Sequence, residues 1–136
     1  MKKQIRIILV DDHQAVRESW KFLLEKDERF TVIALCEDGR DAIEQAHRLL
    51  PDIMLMDINM KPVSGIEATR KLSEEYPAVK VIGVSFHTSP VYIKKMLDAG
   101  ARGYVFKYAV VEDLMKAIEE VYKGNIFLGK GVMDGT

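Results

Sequence analysis

Apolar positions along this chain fall into short, nearly unbroken runs, separated by longer stretches in which they recur every third or fourth residue. The runs are Ile5–Val10, Phe30–Cys36, Ile53–Asp57, Val79–Ser85 and Gly103–Phe106. They are rich in Val, Ile, Leu and Met and mostly do not alternate with polar residues, which is the pattern of strands covered on both faces. Helical spacing fills the intervals. The first helix is predicted over Gln14–Glu25, with Val16, Trp20 and Leu23 on one face, and the second over Arg40–Leu50, ending at Pro51. The third runs over Gly65–Glu75 and stops before Pro77. The fourth opens on Ser89-Pro90, a capping residue followed by proline at the first helical position, and ends at Gly100. The fifth covers Val110–Lys123, with Glu112 and Asp113 in its first turn and Gly124 just past its end.

Five strand–helix units in this length predict an α/β fold: a five-stranded parallel sheet with right-handed crossovers and helices on both faces. Five strands are too few for an eight-stranded barrel, so an open, doubly wound (βα)5 sheet is expected. No internal repeat, low-complexity segment or Ser/Gly-rich linker interrupts it. The domain is expected to occupy residues 1–128, with 129–136 a frayed tail or the start of a connection.

Composition narrows the class without deciding it. The chain has 136 residues, 48% of them apolar and 30% charged, close to the average for soluble globular proteins. A net charge of -1 gives no global reason to expect nucleic acid or a membrane surface as partner. The lone cysteine, Cys36, cannot form an internal disulfide and reads as a small buried hydrophobe. The apolar stretch behind Met1-Lys2-Lys3 is too short for a secretory leader, and no run approaches membrane-spanning length, so a cytoplasmic location is expected.

In an open parallel sheet, ligands bind outside the carboxyl ends of the strands. Asp11-Asp12 follow the first strand, Asp57 ends the third with Asn59 close behind, Ser85 ends the fourth, and Lys107 follows the fifth. Taken singly, such residues are helix caps or solvated loop positions. Together they aim three carboxylates, a hydroxyl and an amine at one rim, and like charges that close cost stability unless a cation neutralises them. Oxygen donors of this kind suit Mg²⁺ before Ca²⁺. His13, His47 and His87 are scattered and form no zinc pattern with Cys36.

Val10-Asp-Asp-His13, Asp57-Ile-Asn-Met60, Gly65-Ile-Glu-Ala-Thr69, Ala99-Gly-Ala-Arg-Gly-Tyr104 and Phe106-Lys107 together resemble a response regulator receiver domain of bacterial two-component systems. The flavour is that of the subfamily with a LuxR-type helix-turn-helix output domain. The resemblance covers about Gln4–Leu128. It implies the flavodoxin-like strand order 2-1-3-4-5 and a signalling switch, not an enzyme. Carried over position by position, it makes Asp57 the phospho-acceptor and Mg²⁺ the cofactor. Asp12 would ligate the metal directly and Asp11 through water, with Asp57 and the backbone carbonyl of Asn59 completing the set. Ser85 and Lys107 would stabilise the phosphoryl group, and Tyr104 would turn inward as Ser85 moves. That motion would repack the face carrying Lys94, Lys95, Tyr104 and Tyr108. A sensor histidine kinase is the implied partner, with homodimerisation on phosphorylation, DNA reached only through an output domain absent from these residues, and no membrane contact.

Phosphoryl transfer needs an in-line nucleophile and charge stabilisation more than covalent help, which agrees with those roles. Some positions depart from the family. Met60-Lys61-Pro62 places the proline one residue late, bulky Phe86 follows Ser85, and Tyr108 follows Lys107, where no cis bond is expected. Other positions read as structural: Met54, Met56 and Met60 as packing, Trp20 as core, His13 as a helix-start residue, Lys94-Lys95 as a solvated face. Three other readings stand beside the receiver. An Asp-nucleophile phosphatase would want a second acid where Asn59 stands, and a flavodoxin-like cofactor binder would meet repulsion from Asp11-Asp12. A receiver that works without phosphorylation would lack one of the acids or the lysine.

Overall fold

The computed structural model describes residues 4–132. The chain runs β1 (Ile5–Val10), α1 (Gln14–Leu24), β2 (Phe30–Cys36), α2 (Gly39–Leu49), β3 (Ile53–Met56), α3 (Gly65–Glu75), β4 (Lys80–Ser85), α4 (Pro90–Asp98), β5 (Gly103–Phe106), α5 (Val111–Tyr122) and β6 (Phe127–Leu128). All strand pairs are parallel and lie in the order β2-β1-β3-β4-β5-β6. The expected α/β sheet and its 2-1-3-4-5 order are therefore present, with one short strand added at the edge. No helix among the described residues is long and apolar enough to cross a membrane.

Strand side chains alternate between two cores, as the two-residue period of a strand demands. Ile7, Leu9, Leu55, Ile82, Val84 and Val105 pack with Leu24 of α1 and Leu114, Ile118 and Val121 of α5. Ile8, Val10, Met54, Met56 and Val81 face the other way, against Ala42 and Ala46 of α2, Leu72 of α3 and Met96 of α4. Both faces are covered, which is why β3 shows no polar residue along its length. Trp20 leans half-buried on the first of these cores. Burial pushes the Cys36 thiol up out of the reactive range, with Asp41 and Asp38 adding to the effect, as a packing role requires.

Local chemistry explains the element ends. Asp38, Ser64 and Ser89 each accept a hydrogen bond from a backbone N–H in the first turn of α2, α3 and α4, and Pro90 sits where its missing N–H costs nothing. Gly100, at φ +114°, closes α4 in a conformation that side chains rarely adopt. The strand expected over Val79–Ser85 begins one residue later because the Val79 N–H still bonds Tyr76 O behind α3. β3 stops at Met56; Asp57 keeps a bond from its N–H to Val10 O and then leaves the sheet.

The tail expected from Gly129 is partly structured. Gly129 donates to Tyr104 O at 2.8 Å, Lys130 N–H donates to Asp113 Oδ2 at 3.2 Å, and Val132 is fully buried. Residues 133–136 of that expectation lie outside the described residues. β6 pairs through Phe127 N–H to Arg102 O, and two residues are too few to register as a periodic pattern.

The loop after β3 is held by one close approach. Gly65 N–H donates to Ile58 O at 2.9 Å, and a Cβ built on Gly65 would lie 1.8 Å from the carbonyl oxygen of Asp57. Gly65 thus lets α3 start directly beneath the backbone of Asp57. Gly65→Ala is expected to lower stability by about 2 kcal/mol or more through overpacking. The readout is a lower urea midpoint at unchanged slope.

Candidate functional site

Four strands deliver their ends to one rim. β1 hands over to Asp11 and Asp12, β3 to Asp57, β4 ends at Ser85, and β5 hands over to Lys107. The Lys107 ammonium lies 2.6 Å from Asp11 Oδ2 and 3.4 Å from Asp57 Oδ1. All three side chains are nearly shut away from water, at 4% exposure for Lys107, 1% for Asp11 and 7% for Asp57. Asp12 is the open member, at 45%. Asp57 also accepts from the Ile58 N–H at 2.8 Å, which fixes its carboxylate at the mouth of the loop.

Burial raises the Asp57 pKa above the ordinary aspartate range. Lys107 pulls in the opposite direction, while Asp11 and Asp12 add to the rise. Among the described residues Lys107 is the only lysine or arginine whose charged head reaches these carboxylates. Arg17 comes near but donates to the backbone oxygen of Asp11, at 2.7 Å. Three acids and one ammonium leave the rim with excess negative charge.

The donor chemistry fits a hard cation. Asp11, Asp12 and His13 offer ligand atoms within 4.8 Å of one another, and Asp11 Oδ2 makes no aligned hydrogen bond despite its short ion pair. Carboxylate oxygens at an open edge suit an ion that keeps part of its water. Asp57 stands outside that tight group and is linked to it through Lys107, which contacts both Asp11 and Asp57. Asn59 is exposed, and its side-chain amide turns to His87, with Nδ2 2.6 Å from Nε2.

Ser85 and Tyr104 are both inside. Ser85 Oγ accepts from the His87 N–H at 3.1 Å, and the Lys107 N–H bonds Ser85 O at 2.9 Å. Tyr104 is 0% exposed, its hydroxyl donating to His87 O at 2.9 Å, and burial raises its pKa while a bond with Ser85 opposes that rise. Tyr104 therefore belongs to the interior and not to the surface where Lys94, Lys95 and Tyr108 stand. Phe86, 65% exposed, holds its ring 5.2 Å from the Lys107 ammonium, so it flanks the amine. The Lys61–Pro62 bond is cis and the bond after Lys107 is not.

Two histidines do more here than their positions in the sequence indicate. His13 starts α1 as expected, its oxygen accepting from Val16 and Arg17, but its ring nitrogen also reaches Asp11 at 3.1 Å and Asp12 at 2.9 Å. His87, two residues beyond Ser85, touches Asn59, Ser85 and Tyr104. Its place in a rim loop is the signal that could have marked it. His47 is elsewhere, against Tyr76 at the far ends of α2 and α3.

Comparison with known proteins agrees with this geometry. The family model described as response regulator receiver domain matches residues 7–119. The chain is 40% identical over 127 residues to the transcriptional regulatory protein DegU of Brevibacillus brevis, covering 93% of this chain and 54% of that protein. It is 35% identical over 124 residues to the response regulator GacA of Pseudomonas aeruginosa, covering 91% and 58%. The chain thus spans little more than half the length of these curated relatives. A crystal structure of a LuxR-family two-component response regulator from Aurantimonas sp. superposes with a TM-score of 0.93 at 32% identity, covering 98% of this chain and 95% of that one. The isolated REC domain of RcsB from Salmonella enterica serovar Typhimurium, determined with phosphomimetic BeF3-, gives 0.88 at 25% identity, over 97% and 98%. Sequence, strand order and the acidic rim with its buried lysine agree: the chain belongs to the response regulator receiver domain family.

Proposed function

We propose that Asp57 accepts a phosphoryl group from a phosphohistidine of a sensor kinase, and that this charge sets the output. The observation that supports it is Lys107, buried between Asp11 and Asp57 beside an open acidic edge. An oxygen of the Asp57 carboxylate attacks phosphorus, the phosphorus–nitrogen bond breaks, and the imidazole leaves with the electron pair and takes up a proton. The product is an acyl phosphate on Asp57. Asp57 is suited to the task because its carboxylate is oriented by Ile58 N–H at the mouth of the loop. Lys107 supplies a fixed positive charge beside the developing phosphoryl oxygens, and Ser85 a hydroxyl donor on the adjoining strand end. Asp12, Asp11, Asp57 and the backbone carbonyl of Asn59 would hold Mg²⁺, which supplies positive charge to the transferring group.

In this reading the new phosphoryl oxygens draw Ser85, and Tyr104, bonded to the same loop through His87 O, follows its position. The chain works in the cytoplasm as a switch that assists its own phosphorylation and dephosphorylation. Its output is transcription, as the name of the transcriptional regulatory protein DegU suggests, reached through a DNA-binding domain outside these residues, and a second phosphorylated copy is a candidate partner.

Incubation with a small phosphodonor and Mg²⁺ should place one phosphoryl group on Asp57, located by mass spectrometry, and EDTA should abolish it. Full-level modification of Asp57→Asn would overturn the assignment.

The buried charges give two stability predictions, both in EDTA. The raised pKa of Asp57 means that the folded parent holds its proton more tightly than the unfolded chain does. The carboxyl therefore costs nothing below pH about 3.8, and it costs progressively more as pH rises through the folded value. Asp57→Asn should match the parent in acid and exceed its denaturant midpoint at neutral pH; an unchanged gap across pH would refute the electrostatic cause. Lys107→Ala should lose about 3–5 kcal/mol, since it strands buried carboxylates. Adding Asp57→Asn to Lys107→Ala should recover part of that loss, measured as a non-additive double-mutant cycle.

A further inference from the structure

His13 precedes α1 at the position where a helix usually places a side-chain oxygen over its free N–H groups. Its side chain makes no such cap. The ring turns instead toward the acidic pair, with Nδ1 2.9 Å from Asp12 Oδ1 and 3.1 Å from Asp11 Oδ1. Each of the three residues offers a ligand atom within 4.8 Å of the others. Asp11 is held in that place by the His13 N–H at 2.9 Å and by the Arg17 guanidinium, which donates to its backbone oxygen at 2.7 Å. Beside Asp12 the group opens onto a cleft of about 380 Å³, lined also by Asn59, Met60, Lys61 and Ser64, with room for an ion that keeps part of its water.

Those separations match a coordination shell. An ion that binds carboxylate oxygen and imidazole nitrogen at about 2.1 Å sets neighbouring ligands of a six-coordinate shell about 3.0 Å apart. His13 Nδ1 stands at that spacing from both acids. The same spacing suits hydrogen bonds from a protonated Nδ1; coordination replaces them, with the ring proton on Nε2 of a side chain that is 67% exposed. The donor set selects the ion. Carboxylates with water suit Mg²⁺, which gives up its hydration reluctantly. An imidazole nitrogen beside two carboxylate oxygens suits a first-row transition dication, for which affinity rises from Mn²⁺ toward Cu²⁺.

We propose that His13 is a third protein ligand of the acidic edge, and that with Asp11 and Asp12 it binds a first-row transition dication such as Ni²⁺ or Zn²⁺. The proposal rests on the reading of that edge as a cation site. Lys107 leaves the position free, because its ammonium takes Asp11 Oδ2 whereas His13 faces Oδ1. Asp57 lies outside the set. The residues that would hold Mg²⁺ for phosphoryl transfer include the same Asp11 and Asp12, so the two ions exclude each other. A transition ion held through His13 therefore displaces Mg²⁺ from the edge without drawing on Asp57, and His13 sets how strongly it does so.

The test is metal binding by the whole chain without a histidine tag. Calorimetric titration with Ni²⁺ should show a site from which excess Mg²⁺ displaces the ion. His13→Asn keeps a good capping residue at an exposed position. It should weaken Ni²⁺ by about tenfold or more, since a direct ligand is worth at least what an outer partner of a ligand is, and leave Mg²⁺ binding unchanged. Asp12→Asn should weaken both ions. In the Co²⁺-loaded protein, proton NMR should show a strongly shifted imidazole N–H that persists in His87→Asn and is lost in His13→Asn. Equal Ni²⁺ affinity in His13→Asn and the parent, with Mg²⁺ still bound, overturns the proposal and leaves the cation site standing. So does a shifted imidazole signal that survives His13→Asn. A parent that binds neither Ni²⁺ nor Mg²⁺ overturns the reading of the edge as a cation site, and the role of His13 with it.

Discussion

A lysine ammonium closed off from water between two carboxylates is costly to assemble, and much of the surrounding architecture holds it in place. Lys107 leaves β5 just where its stem can run beneath the rim, and its backbone N–H is tied to Ser85 on the neighbouring strand. Asp11 is fixed by the His13 N–H and by Arg17 on its carbonyl, Asp57 by the Ile58 N–H. Desolvation of each charge is repaid only if its partner is in position, so strand order, loop length and the Gly65 contact all bear on one ion cluster. The same cluster gives the site its readiness: a carboxylate held with raised pKa beside an ammonium differs in charge balance from the same carboxylate carrying a phosphoryl group.

Charge excess on the open side makes the arrangement incomplete by itself. Asp12 is largely solvated and can wait for a cation at little cost, while Asp11 cannot, because its Oδ2 has only Lys107. Under the proposed metal site, an ion at the acidic edge would have to share Asp11 with the Lys107 ammonium.

The fold was legible because covered strands and amphipathic helices differ in period, and the caps at Ser64 and Ser89 and the stop at Gly100 are spelled in residue types. The rim was legible because parallel strands bring their ends together, so residues far apart in sequence are neighbours by topology. What could not be read came from three-dimensional detail. β6 is stabilised by the edge it finds and not by its own two residues. The inward place of Tyr104 depends on the space left by Gly83, whose missing side chain would otherwise lie 3.1 Å from the ring. Neither the contact of His87 with Asn59 nor that of His13 with both acids has any spacing that encodes it, since each is a loop side chain choosing among several neighbours.

The short return of the chain along β5 also decides how this sheet meets other sheets. Without it β5 would present free backbone donors and acceptors, an invitation to strand addition from another molecule. Phe127 and Leu128 take that edge, and the turn that ends in buried Val132 pins the cover down. The opposite border, β2, has no such lid among the described residues, but its ladder with β1 breaks register between Ile7 and Ile8. An irregular ladder twists a border away from the flat geometry that stacking requires. The two margins thus differ in kind, one covered by a short added strand and one irregular in its register.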